Sequence, residues 1–287
     1  MAFYPQLFNA SLPGKRDDTF YLHHDPAAFE ALWQHPDNRY HSLAAWQGRY
    51  DLVSLPVTHE LIDIIIYRPE GSGTLPSYHA HMNGPSVWEL LPQYAAVQDL
   101  PEAHVATMIM GLFTPHVQVV LPVDVPTRHV LTPEAQIEPF SAQVCLLAKS
   151  LDLFRTEKEY LKALVQAEGL PVMPGLIVAP AFAINRTTTE DGDYIIDHEA
   201  RWAADRVGRR ENYVVGCGQV RYVEDLHLDG APFACAIQLN TFFGGLTLWA
   251  SPENLDHRPA QPGDLCYFIG NLSADCAIYA AAGGFGH

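Results

Sequence analysis

The chain has 287 residues, 48% of them apolar and 17% charged, a composition that supplies a large core and excludes extended disorder. Its formal charge of −16 excludes a phosphate-backbone partner, since nucleic-acid binding needs clustered Lys and Arg and the densest basic stretch, Arg206 to Arg210, holds three arginines beside acidic residues. No apolar run reaches the roughly 18 residues of a membrane helix, no secretory signal opens the chain, and five cysteines without Cys-x-x-Cys spacing read as free thiols of a soluble, cytoplasmic protein.

Asp25-Pro26 predicts the start of a short helix with Phe29, Leu32 and Trp33 on one face. Tyr50 to Arg68 turns β-rich, and Leu61 to Ile66 reads as a strand buried on both faces. Gly71-Ser72-Gly73 marks a turn. Val105 to Val120 reads as two strands around a Gly111–Pro115 turn, and five prolines between Pro101 and Pro133 exclude a long helix there. The clearest helix runs from Thr156 to Gly169. Thr156 and Glu159 form a capping box, Tyr160, Leu161, Leu164 and Val165 form the apolar stripe, and Gly169 is the stop.

Asp191-Gly192 predicts a hairpin between Ala181–Thr188 and Tyr194–Ile196, and a polar helix follows over His198–Val207. Strands are expected over Tyr213–Val223, Phe233–Leu239, Leu246–Trp249, Leu265–Ile269 and Ala277–Ala281. The fold class is therefore mainly β with a few helices (α+β), and barrel-like. It divides into an N-terminal half, 1–150, and a helix followed by a C-terminal half, 151–287, or packs as one compact domain.

Two stretches compare with each other. His81 to Trp88, then Ile109 to Val120, parallels Phe242 to Trp249, then Phe268 to Tyr279. Each has a Gly four residues before a Trp, and each then has a Gly-x-x-[Ser/Thr] step read as a turn between strands. This predicts two related halves in which Trp88 matches Trp249, with both tryptophans in the core.

The second stretch, Asn240 to Trp249, leads to Pro252-Glu253-Asn254 and to Pro262-Gly263-Asp264 before an apolar and aromatic strand. Together with Tyr78 to Trp88, it resembles the cyclophilin-like β-barrel proteins of bacteria. The resemblance covers about a third of the chain and implies a barrel; closure of a sheet itself offers a concave site for a small ligand at the barrel mouth. It implies no prolyl isomerase activity, because the Phe-His-Arg type of signature is absent. The first half also lacks the Glu-Asn and Pro-Gly-Asp steps.

The sharpest polar pattern is His79-x-His81-x-Asn83, with Glu89 beyond it. Strand residues two apart share a face, so both imidazoles would enter one pocket. There they would act as an acid–base pair or bind a divalent metal, zinc or iron, with Asn83 or Glu89 orienting a substrate. Surface or hydrogen-bonded histidines are the alternative, since the chain has fourteen. In the repeat alignment His79 falls opposite Asn240, a further substrate-binding candidate. Cys217, between Gly216 and Gly218, is a candidate nucleophile if His227 or His198 serves as base, and a packed core thiol otherwise. Asp225, His227 and Asp229 alternate and form either a third cluster or an exposed turn.

No Walker loop, Gly-x-Gly-x-x-Gly, Gly-x-Ser-x-Gly or His-Glu-x-x-His occurs, so no nucleotide cofactor is expected. These readings predict a hydrolase or lyase acting on a small molecule. The alternatives are a non-catalytic small-molecule-binding barrel and a homo-oligomer subunit.

Overall fold

A computed structural model describes residues 34, 36–45, 48–57, 60–70, 77–82, 84–94, 106–113, 118–127, 130, 138–167, 172–179, 213–228, 230–250, 255 and 258–276. The expected helices at 25–33 and 198–207, the 181–196 hairpin, the Gly71–Gly73 turn and the 277–281 strand lie outside them. Among the described residues the protein is mostly β with one α-helix, and that helix is neither long nor apolar enough to cross a membrane.

Four strands form a small antiparallel sheet: β1 (Arg39–Ala45), β2 (Gly48–Val57), β3 (Glu60–Pro69) and β4 (Ser77–Met82). The expected isoleucine-rich strand is β3. β1 had no forecast, because Arg39-Tyr40-His41-Ser42 alternates no apolar residues and its described residues are mostly exposed.

Nine strands form the main sheet: β5 (Val87–Tyr94), β6 (Ala106–Phe113), β7 (Gln118–Val125), β8 (Phe140–Phe154), β9 (Ile177–Val178), β10 (Val214–Leu228), β11 (Ala231–Thr241), β12 (Gly244–Ala250) and β13 (Leu265–Asp275). The helix α1 (Glu157–Ala167) follows β8. Two hydrogen-bonded circuits run through this sheet. One joins β8, β5, β6, β7 and β13, and the other joins β8, β12, β11, β10 and β13. They share the long antiparallel β8–β13 ladder, from Phe154 opposite Leu265 to Gln143 opposite Asp275. The result is barrel-like without formal closure, and closing strands upon each other removes most exposed edges.

The circuits share one apolar core. Leu90, Met110, Val123, Val144, Leu146, Val214, Ile237, Leu248, Phe268 and Leu272 all point into it. Trp88 and Trp249 are both buried as expected, and the Trp88 indole donates to the Gly245 carbonyl across 2.8 Å. Their alignment with each other does not hold, because β5 and β12 occupy different places in the topology. Gly270 is not in a turn either. β13 runs straight through it with a register shift after Ile269. A Cβ there would stand 2.2 Å from the Leu147 carbonyl oxygen, so only glycine lets β13 approach β8 at this point. Gly111 likewise lies inside β6, which ends at Phe113.

The Pro262-Gly263-Asp264 turn does precede β13. Gly263 takes φ 93°. The buried Asp264 carboxylate accepts from the Gln261 amide at 3.0 Å and pairs with Arg258 at 2.9 Å.

α1 forms where the capping box places it. Thr156 Oγ1 accepts from the Glu159 amide at 3.2 Å, and the Glu159 carboxylate accepts from the Arg155 amide at 2.9 Å. Tyr160 is fully buried against Phe154, Val215, Cys217, Leu265 and Tyr267, whereas Leu161, expected in the stripe, is half-exposed.

A candidate functional site in a buried polar seam

The β8–β13 ladder has two faces. Its inner face, with Ala142, Val144, Leu146, Leu272 and Ala274, belongs to the apolar core. On the outer face stand Gln143, Cys145, Ser273 and Asp275, with Cys145 directly opposite Ser273. β4 of the small sheet covers this part of the ladder through His81.

His81 is completely buried. Its Nδ1 shares a hydrogen bond with Ser273 Oγ at 3.0 Å, the donor depending on the tautomer, and Cys145 Sγ lies 3.9 Å from the same nitrogen. Beside this group, Thr127 Oγ1 donates to Asp275 Oδ1 at 2.6 Å and accepts from the Cys276 amide at 3.0 Å. Ser86 and Thr247 share a hydroxyl–hydroxyl bond of 3.1 Å, and the Gln143 amide donates to the Gly84 carbonyl. Gly84 has no room for a side chain, since a Cβ would meet Thr247 Oγ1 at 2.5 Å.

Apart from Asp264, the buried polar side chains of the described residues are Ser54, His81, Ser86, Thr127, Thr247, Ser273 and Asp275. Six of these seven make the contacts just described. The seventh, Ser54, lies in the β2–β3–β4 register row that runs Ser54, Asp63, His81. The seam is thus where the protein concentrates its buried hydrogen-bonding groups, and each must find a partner to offset the loss of water.

β4 is extended, so His79 and His81 sit on one face of it, as the spacing predicts. It belongs to the small sheet, not to the barrel wall that the resemblance implies. The His79 side chain and all of Asn83 lie outside the described residues. Glu89 and Asn240 do not join the seam: both are exposed, Glu89 opposite Ser141 and Asn240 opposite Gln219 and Gly245. Among the described residues no group of three or more His, Cys, Asp or Glu side chains is placed to hold a metal ion.

Cys217 is fully buried, and burial pushes its thiol up to about 12, opposed by the neighbouring Tyr160 hydroxyl. His227 lies ten residues further along the same strand, about 33 Å of extended chain at roughly 3.3 Å per residue. The flanking glycines do not uncrowd the thiol but admit neighbours: the Phe268 ring packs over Gly216, and Leu239 over Gly218. His198 is outside the described residues. Asp225 and His227 are exposed on β10 before Gly230, whose φ of 78° makes the turn.

The other shifted thiols behave alike. Burial pushes Cys235 up to about 12, with Asp225 adding to the effect. Burial and Asp275 do the same for Cys276, to about 12, opposed by the Thr127 hydroxyl. Cys266 is raised well above its ordinary value, again by burial first.

Residue spacing missed Cys145, Ser273, Thr127 and Asp275. The usable signal was alternation in Leu272-Ser273-Ala274-Asp275, where polar residues interleave with small apolar ones at strand period. Comparison with protein-family models, curated proteins and solved structures finds no match.

Proposed function

We propose that this chain is a non-catalytic, barrel-like binding protein, with His81 serving as the hydrogen-bonded joint between its two sheets. One observation carries the reading: His81, Cys145 and Ser273 are each at most 3% exposed, and the Ser273 hydroxyl and Cys145 thiol both approach His81 Nδ1. Large apolar side chains instead lie open on the surface at Phe242, Met173 and Tyr222, and aromatic residues and Met are favoured at binding surfaces. A small molecule is the ligand class proposed. The affiliation with cyclophilin-like barrels is part of the same proposal, supported by the Pro262–Asp264 turn and the β12 strand.

The test is a panel of ester, amide and lyase substrates run beside thermal-shift screening of small molecules. Under this reading some molecule raises the melting temperature, and His81→Asn leaves that shift unchanged. Turnover that His81→Asn and Cys145→Ser each abolish, in folded protein, would overturn it. The second reading, a hydrolase or lyase built on a thiol–imidazole pair, is favoured by the 3.9 Å Cys145–His81 approach, because nucleophile and base often stand looser before substrate binds.

A further inference from the structure

The strand pairings of the main sheet obey a rule that composition does not show. In the unit β5–β8, the first strand pairs antiparallel with the fourth (β5–β8), and the first with the second and the second with the third (β5–β6, β6–β7). In β10–β13 the same three relations hold in the same sense (β10–β13, β10–β11, β11–β12). The third strand of each unit then pairs in parallel with the fourth strand of the other: β7 with β13, and β12 with β8. The two fourth strands pair antiparallel with each other. A register shift after Pro92 interrupts β5–β6 and one after Val220 interrupts β10–β11, which carries a second after Leu226.

Neither unit closes a circuit with its own strands. The β5–β8 circuit needs β13, and the β10–β13 circuit needs β8. The core follows the same division, since Leu146 from one unit and Leu272 from the other lie opposite each other within it.

We propose that the main sheet, apart from the two-residue β9, is a fused pair of equivalent four-stranded units, and that the surface each presents along β8 or β13 is a protein–protein interface whose fitting partner is a second unit of the same kind. The β8–β13 ladder and the two parallel ladders hold the pair. The connection between the units raises their effective concentration, and its α1 and β9 add contacts to β8, β10 and β13 beside those ladders. Antiparallel pairing of the two fourth strands is what an isologous, two-fold contact requires, each unit offering the same patch to the other.

The test uses the full chain with a spacer-flanked protease site inserted between Asp191 and Gly192. After cleavage, the two pieces are expected to co-elute at the intact mass by size exclusion with light scattering. They should melt in one transition whose midpoint rises with protein concentration, as a two-chain complex must. When cleaved protein is mixed with isotope-labelled cleaved protein, hybrid pairs should appear by native mass spectrometry. Release of either piece as a folded monomer, precipitation on cleavage while the uncut protein stays soluble, or a midpoint indifferent to concentration would each overturn the proposal.

Discussion

The outer face of the β8–β13 ladder is covered twice, by two means. Toward Phe154 and Leu265 the cover is α1, with Tyr160 packed edge-on against Phe154 at 5.3 Å and tilted against Tyr267 at 6.2 Å. Toward Gln143 and Asp275 it is β4, with His81 hydrogen-bonded to Ser273. The first contact is held by apolar area. The second is held by satisfied polar groups, whose net contribution is small but whose disruption is costly, because the surviving partner stays buried and unpaired. One ladder can therefore carry a tolerant cover and an exacting one.

Mutations at the two ends should separate these regimes, and the largest loss is expected under the helix. Tyr160→Ala removes a fully buried ring and should cost about 3–5 kcal/mol by urea unfolding. Tyr160→Phe, which loses only the hydroxyl donated to the Val172 carbonyl, should cost about 1 kcal/mol. At the polar end, His81→Ala should cost about 2–4 kcal/mol, from the cavity and the stranded Ser273 hydroxyl. His81→Ala and Ser273→Ala combined should cost less than the sum of the singles, and strict additivity would show that the two ends do not differ in kind.

Alkali sharpens the contrast next. Thiols whose folded pKa stands near 12, against an ordinary 9.0, stabilise the fold while protonated. That contribution is complete below pH about 9 and is lost as pH climbs through about 12. Burial also raises the Tyr160 and Tyr267 phenols, so the helix end holds three such groups with Cys217. Hydrogen exchange should therefore accelerate around α1 before β4 as pH rises, and the reverse order would contradict the assignment. Smaller again, Thr156→Ala should cost about 1 kcal/mol through the lost cap. Smallest of all, Glu89→Ala and Asn240→Ala should stay within about 0.5 kcal/mol, as exposed positions do.

The helix end was legible in advance because its signals are local: a cap, a stop and a buried Tyr within one short stretch. The starts of β10 to β13 were legible for the same reason, each an apolar run after turn residues, although β13 continues through Gly270 where a turn was expected. β8 was not. Phe140-Ser141-Ala142-Gln143-Val144-Cys145 alternates well, but Leu146-Leu147-Ala148-Lys149-Ser150 breaks the period where an extra residue is accommodated opposite Ile269–Gly270. With β8 unassigned, Cys145 had no face, and His81 had no thiol to meet. The seam depends on residues 64 and 192 positions apart in sequence, His81 to Cys145 and His81 to Ser273, which no spacing rule connects. The expected match of Trp88 with Trp249 does not follow the strand pairings, because β5 and β12 occupy different places in the sheet.

β13 belongs to both circuits, and every other strand of those circuits precedes it in the chain. During synthesis at the ribosome, each earlier strand can join a hairpin or a sheet, yet neither circuit can shut until β13 has emerged. The core that both circuits enclose therefore stays incomplete until that one eleven-residue segment arrives, and partly built sheets with open apolar faces are the aggregation-prone species of folding.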